Sequence, residues 1–265
     1  ILAAAAARCR PVPFRAVTAA AAIGMSCAGL ATGLGGAGVL LLRRPSPTLL
    51  DGLLGFTGGI MLAALGFSLL VPALEDGSLW QVLVGFALGG AFIAAADRFL
   101  PQVHARFSER GRSPLGVRAA RRALLLVIAM TIHNFPEGMA VVTAFAAGGS
   151  ELGLPLAIAI GVQNVPEGFA VAAPLVAAGL SPGRAALVGL ASGAVEPFAA
   201  FGAYGALDVA SGVLPVALAF AAAAMLYVVV DELIPESQAR GSERASTLAL
   251  LVGFALMMAL DTALG

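Results

Sequence analysis

Stretches of about 20 apolar residues, each long enough for a helix to cross a bilayer, recur along nearly the whole chain. They are separated by brief polar, proline or glycine punctuation such as Arg43-Arg44-Pro45, Gly77-Ser78, Gly148-Gly149-Ser150 and Ser181-Pro182-Gly183. Of the 265 residues, 60% are hydrophobic and 11% charged, about half the charge density of a soluble domain. Most of the chain is therefore expected in lipid. Eight spans are predicted, at roughly 17–42, 52–74, 79–99, 123–147, 153–178, 184–207, 212–235 and 246–264. The expected fold is all-α, a single integral membrane domain over residues 1–265 built as an eight-helix bundle. Only the polar, Arg-rich segment 100–122 makes a long connection, expected as a cytoplasmic loop. No separate soluble domain fits.

All 15 basic residues are arginine and the net charge is zero, so nothing points to nucleic acid. Residues 1–16 lack the ordered regions of a signal peptide. Cys9 and Cys27 form neither a metal-ligand spacing nor a disulfide framework. Eight spans put both termini on one side, where only Arg8, Arg10 and Arg15 lie. The opposite side collects Arg43, Arg44, seven arginines from Arg98 to Arg122, and Arg184, Arg240 and Arg244. The positive-inside rule then places 100–122 in the cytoplasm and both termini outside it. Glu75, Asp76, Glu151 and Asp208 fall on the outer side, an acidic mouth that gathers cations.

Ionisable groups at the bilayer centre cost several kcal/mol and call for a reason. The midpoints of spans 4, 5 and 6 coincide with His133-Asn134-Phe135-Pro136-Glu137-Gly138, Gln163-Asn164-Val165-Pro166-Glu167-Gly168 and Glu196-Pro197. Three carboxylates, one imidazole and three amides thus share one depth, with no lysine or arginine at that depth to pair with the acids. The first two segments repeat Asn, Pro, Glu and Gly in register, 30 residues apart. In each, the leading polar residue and the Glu stand four apart, which stacks them on one helix face. Pro136, Pro166 and Pro197 remove the bonds to the carbonyls of Ile132, Val162 and Gly193, so a kink is expected in each helix. Broken backbone at mid-depth is tolerated beside protein, water or an ion, and transporters use it to build ion sites.

Imidazole with carboxylate suits a borderline divalent ion such as zinc. Oxygen-rich ligands also release an ion more readily than a closed thiolate cage. An intramembrane zinc protease needs two His four apart, whereas the residue four after His133 is Glu137. A haem carrier lacks its axial pair, with one histidine in the spans. No enzyme is expected. The rival is a proton-coupled carrier of a small organic solute using the same carboxylates, although aromatic or Arg groups to hold a solute are scarce at that level.

On the paired motifs, Glu196-Pro197 and the eight spans, the chain resembles the ZIP (Zrt/Irt-like) family of divalent metal transporters, of the prokaryotic type. The resemblance implies transport of zinc, with cadmium also bound and iron or manganese as further candidates, into the cytoplasm across a bacterial inner membrane. Zinc is then the transported substrate rather than a resident cofactor. By analogy His133, Gln163, Asn164, Glu167 and Met61 hold one ion, and Asn134, Glu137, Gln163, Glu167 and Glu196 a second beside it. Spans 1, 4, 5 and 6 are implied to move against 2, 3, 7 and 8 as an elevator, and a homodimer is compatible. Gln163 stands where many relatives have His, and Asn164 where some have Asp. Both changes remove basicity or charge, so the first site is expected to hold metal more weakly or with a different preference.

Asp97, Asp231, Glu232 and Glu236 cluster near the cytoplasmic ends of spans 3 and 7. They form either a solvated face complementing Arg98 and Arg240 or an exit stage for metal. Ser68 could line the path but packs as readily. His104 reads as a loop residue, and Asp261 has no role derivable from sequence.

Overall fold

The computed structural model describes residues 14–42, 45–108, 115–209 and 211–264. Arg8, Cys9, Arg10, Arg43 and Arg44 lie outside the described residues, as do the side chains of Arg15, Asp97, His104, His133, Asp208 and the arginines from 106 to 122. The described secondary structure is helical throughout. Helix α1 is Phe14–Ala37, followed by a 3-10 turn. Helix α2 runs Pro47–Asp76 with a π-helical turn at Leu65–Leu70. Helix α3 is Leu79–Ser108. A continuous run, Leu115–Ala177, turns at Gly149 and forms α4 (115–148) and α5 (150–177). Helix α6 comprises Pro182–Gly193 and Val195–Val209. Helix α7 spans Leu214–Gln238 with a π turn at Val229–Leu233, and α8 is Glu243–Leu264.

Local chemistry sets these ends. Ser46 caps α2, its Oγ accepting the Leu49 N–H at 3.2 Å, with Pro47 in the first turn. Ser78 and Gln81 form a reciprocal capping box at α3: the Ser78 N–H reaches Gln81 Oε1 at 2.9 Å and the Gln81 N–H reaches Ser78 Oγ at 3.4 Å. Gly179, at φ 99°, ends α5 with the Leu180 N–H bonded back to Leu175 O at 2.9 Å.

Seven of the described helices are long and apolar enough to cross a membrane, where the sequence predicts eight spans. The difference lies in Met130–Ala177, whose 48 residues carry two predicted spans. Within that run Gly149 alone departs from helical geometry, at φ 60° and ψ −141°, a conformation open essentially to glycine. Hydrogen bonding resumes immediately on either side, so the turn leaves almost no loop. The prolines Pro136, Pro155, Pro166 and Pro174 stay inside helix. Only α6 breaks, at Ala194, where Pro197 removes the bond to Gly193. Helix also enters the 100–122 segment from both sides, as far as Ser108 and from Leu115. Charge marks where a helix leaves an apolar slab, not where it ends.

The most extensive packing joins α1 to the α4–α5 run and to α6, α2 to α8 and to α7, and α3 to α7. Two groups result: α1, α4, α5 and α6 in one, and α2, α3, α7 and α8 in the other. At every described glycine where a β-carbon would crowd another helix, that helix belongs to the same group. Large apolar side chains such as Leu34, Trp80, Leu83, Phe198, Phe201, Leu248 and Val252 point outward, as a lipid-facing surface requires.

Candidate metal-ion site

The described polar side chains of the two repeats lie at the contact of α4, α5 and α6. Asn134, Glu137, Gln163, Asn164 and Glu167 are 0% exposed and Glu196 1%. The glycine closing each repeat makes the crossing possible. A β-carbon on Gly138 would strike the Glu196 carbonyl of α6, and one on Gly168 the Thr32 carbonyl of α1. The motif's glycines thus serve close backbone approach, of α4 to α6 and of α5 to α1.

The side chains engage in pairs. Gln163 Nε2 donates to Glu137 Oε1. Asn164 Nδ2 donates to Glu196 Oε1 at 2.8 Å and to the Ala28 carbonyl of α1 at 3.0 Å. Asn134 Nδ2 donates to Ser192 Oγ at 3.3 Å, beside the break in α6. Among the described residues the buried amide oxygens of Asn134, Gln163 and Asn164 accept no hydrogen bond, an arrangement that leaves their acceptor capacity available to an electropositive ligand. No three His, Cys, Asp or Glu side chains converge as a metal cluster among the described residues, which do not include the His133 side chain. The acids are instead interleaved with amides. Met61 of α2 is fully buried in the core.

Of the residues near the Arg-rich end, Glu232 and Glu236 line a small cavity with Leu50, Met130, Pro174 and Arg240. Its walls come from α2 and α7 on one side and α4 and α5 on the other, so it lies on the boundary between the two groups. Asp231 is exposed. Arg240 Nη1 pairs at 3.0 Å with Asp51 and also bonds Glu236. Asp51 is fully buried and accepts the Ser242 N–H at 3.2 Å. Sequence reading passed over Asp51, one residue before the predicted start of span 2. Asp261 finds its partner in Ser68, whose Oγ donates to Oδ1 at 3.0 Å from the π turn of α2. Thr32, Thr57 and Ser192 were likewise missed, because single hydroxyls in apolar spans carry no pattern. Thr57 of α2 donates to the Gln163 carbonyl at 3.4 Å.

A profile of the ZIP Zinc transporter family matches residues 108–261. The chain is 42% identical over 247 residues to the Zinc transporter GufA of Myxococcus xanthus, covering 90% of this chain and 96% of that one. It is 41% identical over 257 residues to the Zinc transporter ZIPB of Bordetella bronchiseptica, covering 92% and 81%. The Zinc transporter ZIP11 of Homo sapiens is 35% identical over 322 residues, covering 88% and 94%.

Proposed function

The chain belongs to the ZIP zinc transporter family, and from that premise we propose that it carries zinc across a membrane through the buried acids and amides of α4, α5 and α6. One observation carries the placement: Glu137, Glu167 and Glu196 are all but inaccessible to solvent on three packed helices of an apolar bundle. No lysine exists in the chain to offset them. Burying carboxylates is costly unless a cation compensates, and a divalent ion offsets two at once. The protein is a transporter, not an enzyme.

Eight passages through the bilayer follow when Met130–Ala177 is taken as two, with the site at mid-depth and the Arg-rich end in the cytoplasm. His133, Gln163, Asn164, Glu167 and Met61 form the first ion position, and Asn134, Glu137, Gln163, Glu167 and Glu196 the second. The orphan amide oxygens and the thioether of Met61 suit an ion that binds weakly enough to leave. Cadmium fits the same donors. The cavity walled by Glu232 and Glu236 supports a route towards the Arg-rich end, with Asp231 and Asp97 as outer members of that path. The two packing groups support an elevator motion of α1, α4, α5 and α6 against the rest. Glycine-mediated backbone contacts among the described residues lie inside each group, leaving the boundary to side chains such as Thr57, whose hydroxyl donates a long hydrogen bond to the Gln163 carbonyl.

Uptake of radioactive zinc into proteoliposomes tests the proposal. Zinc enters above the level of empty vesicles, Glu167→Ala abolishes most of the flux, and His104→Ala leaves it near wild type. Equal effects of the two substitutions would remove the case for a buried site.

A further inference from the structure

We propose that Thr32 of α1 is a positioning residue that ties down one oxygen of Glu196, leaving that carboxylate a single oxygen for metal and biasing the site towards small divalent ions. The inference deepens the metal-site reading above and rests on it.

Threonine in a helix ordinarily turns its hydroxyl back to the carbonyl four residues earlier. Thr131, Thr143, Thr247 and Thr262 all do so, at 2.6, 2.9, 2.8 and 2.7 Å. Thr32 does not. The carbonyl it would use, that of Ala28, accepts Asn164 Nδ2 at 3.0 Å instead. The Thr32 hydroxyl turns outward and donates to Glu196 Oε1 at 3.1 Å. Asn164 Nδ2 donates to that same oxygen at 2.8 Å. Both donors therefore fall on Oε1, and the hydrogen bonds that Glu196 accepts among the described residues leave Oε2 to other use.

The side chain has no room to swing away. Thr32 is wholly buried. A β-carbon on Gly193 of α6 would lie 2.6 Å from Thr32 Cβ, and one on Gly168 of α5 would strike the Thr32 carbonyl. The hydroxyl is thus wedged between the two helices that carry Glu167 and Glu196.

A carboxylate with one oxygen engaged binds metal through the other alone. That suits zinc, which takes four ligands. A larger divalent ion accepts more oxygens and gains from a carboxylate that binds through both. Removing the Thr32 hydroxyl releases part of the hold on Oε1 and opens the second mode. Partners that orient a ligand typically change metal affinity by about 10–100-fold when lost.

The test compares full-length wild type, Thr32→Ser, Thr32→Val and Thr32→Ala, purified in detergent. Zinc and cadmium affinities are measured by equilibrium binding, and the thermal midpoint monitors folding. Thr32→Val, nearly isosteric, is expected to lower zinc affinity about 10-fold and cadmium affinity much less, so the cadmium-to-zinc preference rises. Thr32→Ser keeps the hydroxyl and keeps the wild-type preference. Thr32→Ala adds no atom and carries the same readout should the valine variant fold poorly. A valine or alanine variant with the wild-type preference, or a serine variant that shifts with them, overturns the proposal while leaving the metal site standing. Wild type that binds neither ion, with Glu167→Ala indistinguishable from it, overturns both.

Discussion

Single residues decide how closely these helices meet. The glycines that close the two repeats face backbone carbonyls of other helices, Glu196 for Gly138 and Thr32 for Gly168. Gly168→Ala must push α1 from α5, and overpacking of this kind typically costs about 1–3 kcal/mol. A lowered thermal midpoint together with loss of zinc uptake is expected; an unchanged midpoint would show that α1 gives way freely. Asp51 is the second such residue. With its side chain wholly buried and that of Arg240 26% exposed, Asp51→Asn is expected to destabilise by on the order of 2 kcal/mol, below the 3–5 typical when a fully buried pair is broken. Arg240→Gln on that background should add little, and a double-mutant cycle with additive effects would contradict the pairing. The repeats and Glu196 were legible in sequence because their polarity contradicts their surroundings. Asp51, Thr32 and Ser192 were not, since each gains its meaning only from a partner on a helix distant in sequence.

At the scale of elements, apolar run length anticipated long apolar helices, seven of which among the described residues are long enough to cross a membrane, but not their internal geometry. Gly149 carries the turn between α4 and α5 in a backbone region closed to other residues. Gly149→Ala is expected to cost about 1–3 kcal/mol and to lower the thermal midpoint in detergent, while Gly161→Ala, where a β-carbon meets nothing within 4 Å, should not. The π turns at Leu65–Leu70 and Val229–Leu233 had no signature in sequence, although prolines follow shortly after each. They matter because Ser68 lies in one and Asp231 and Glu232 in the other. The extra residue in each turn rotates these side chains relative to the rest of the helix. Of the three prolines expected to kink helices, only Pro197 stands beside an actual break.

For the whole molecule, the separation into two packing groups carries the transport proposal. Cysteines at Leu54 and Ala170, which face the cavity from opposite groups, should arrest zinc flux once bridged by a thiol cross-linker in a background lacking Cys9 and Cys27. Bridging Phe67 and Phe254, whose rings lie 6.1 Å apart within one group, should leave flux intact; equal inhibition by both bridges would argue against relative motion. Zinc binding should also weaken as pH falls from about 7 to 5, because imidazole and carboxylate bind metal only when deprotonated and protons compete for them. A pH-independent affinity would point away from these ligands. The sequence alone determined that the chain is helical, lies in lipid and holds acids at mid-span. Those conclusions need only local polarity and its period, which each segment carries in itself. Tertiary structure alone decided which oxygens are tied, which helices form a unit and where a cavity opens, because hydrogen bonds and close packing join residues on different helices, from 26 to 164 positions apart at the site.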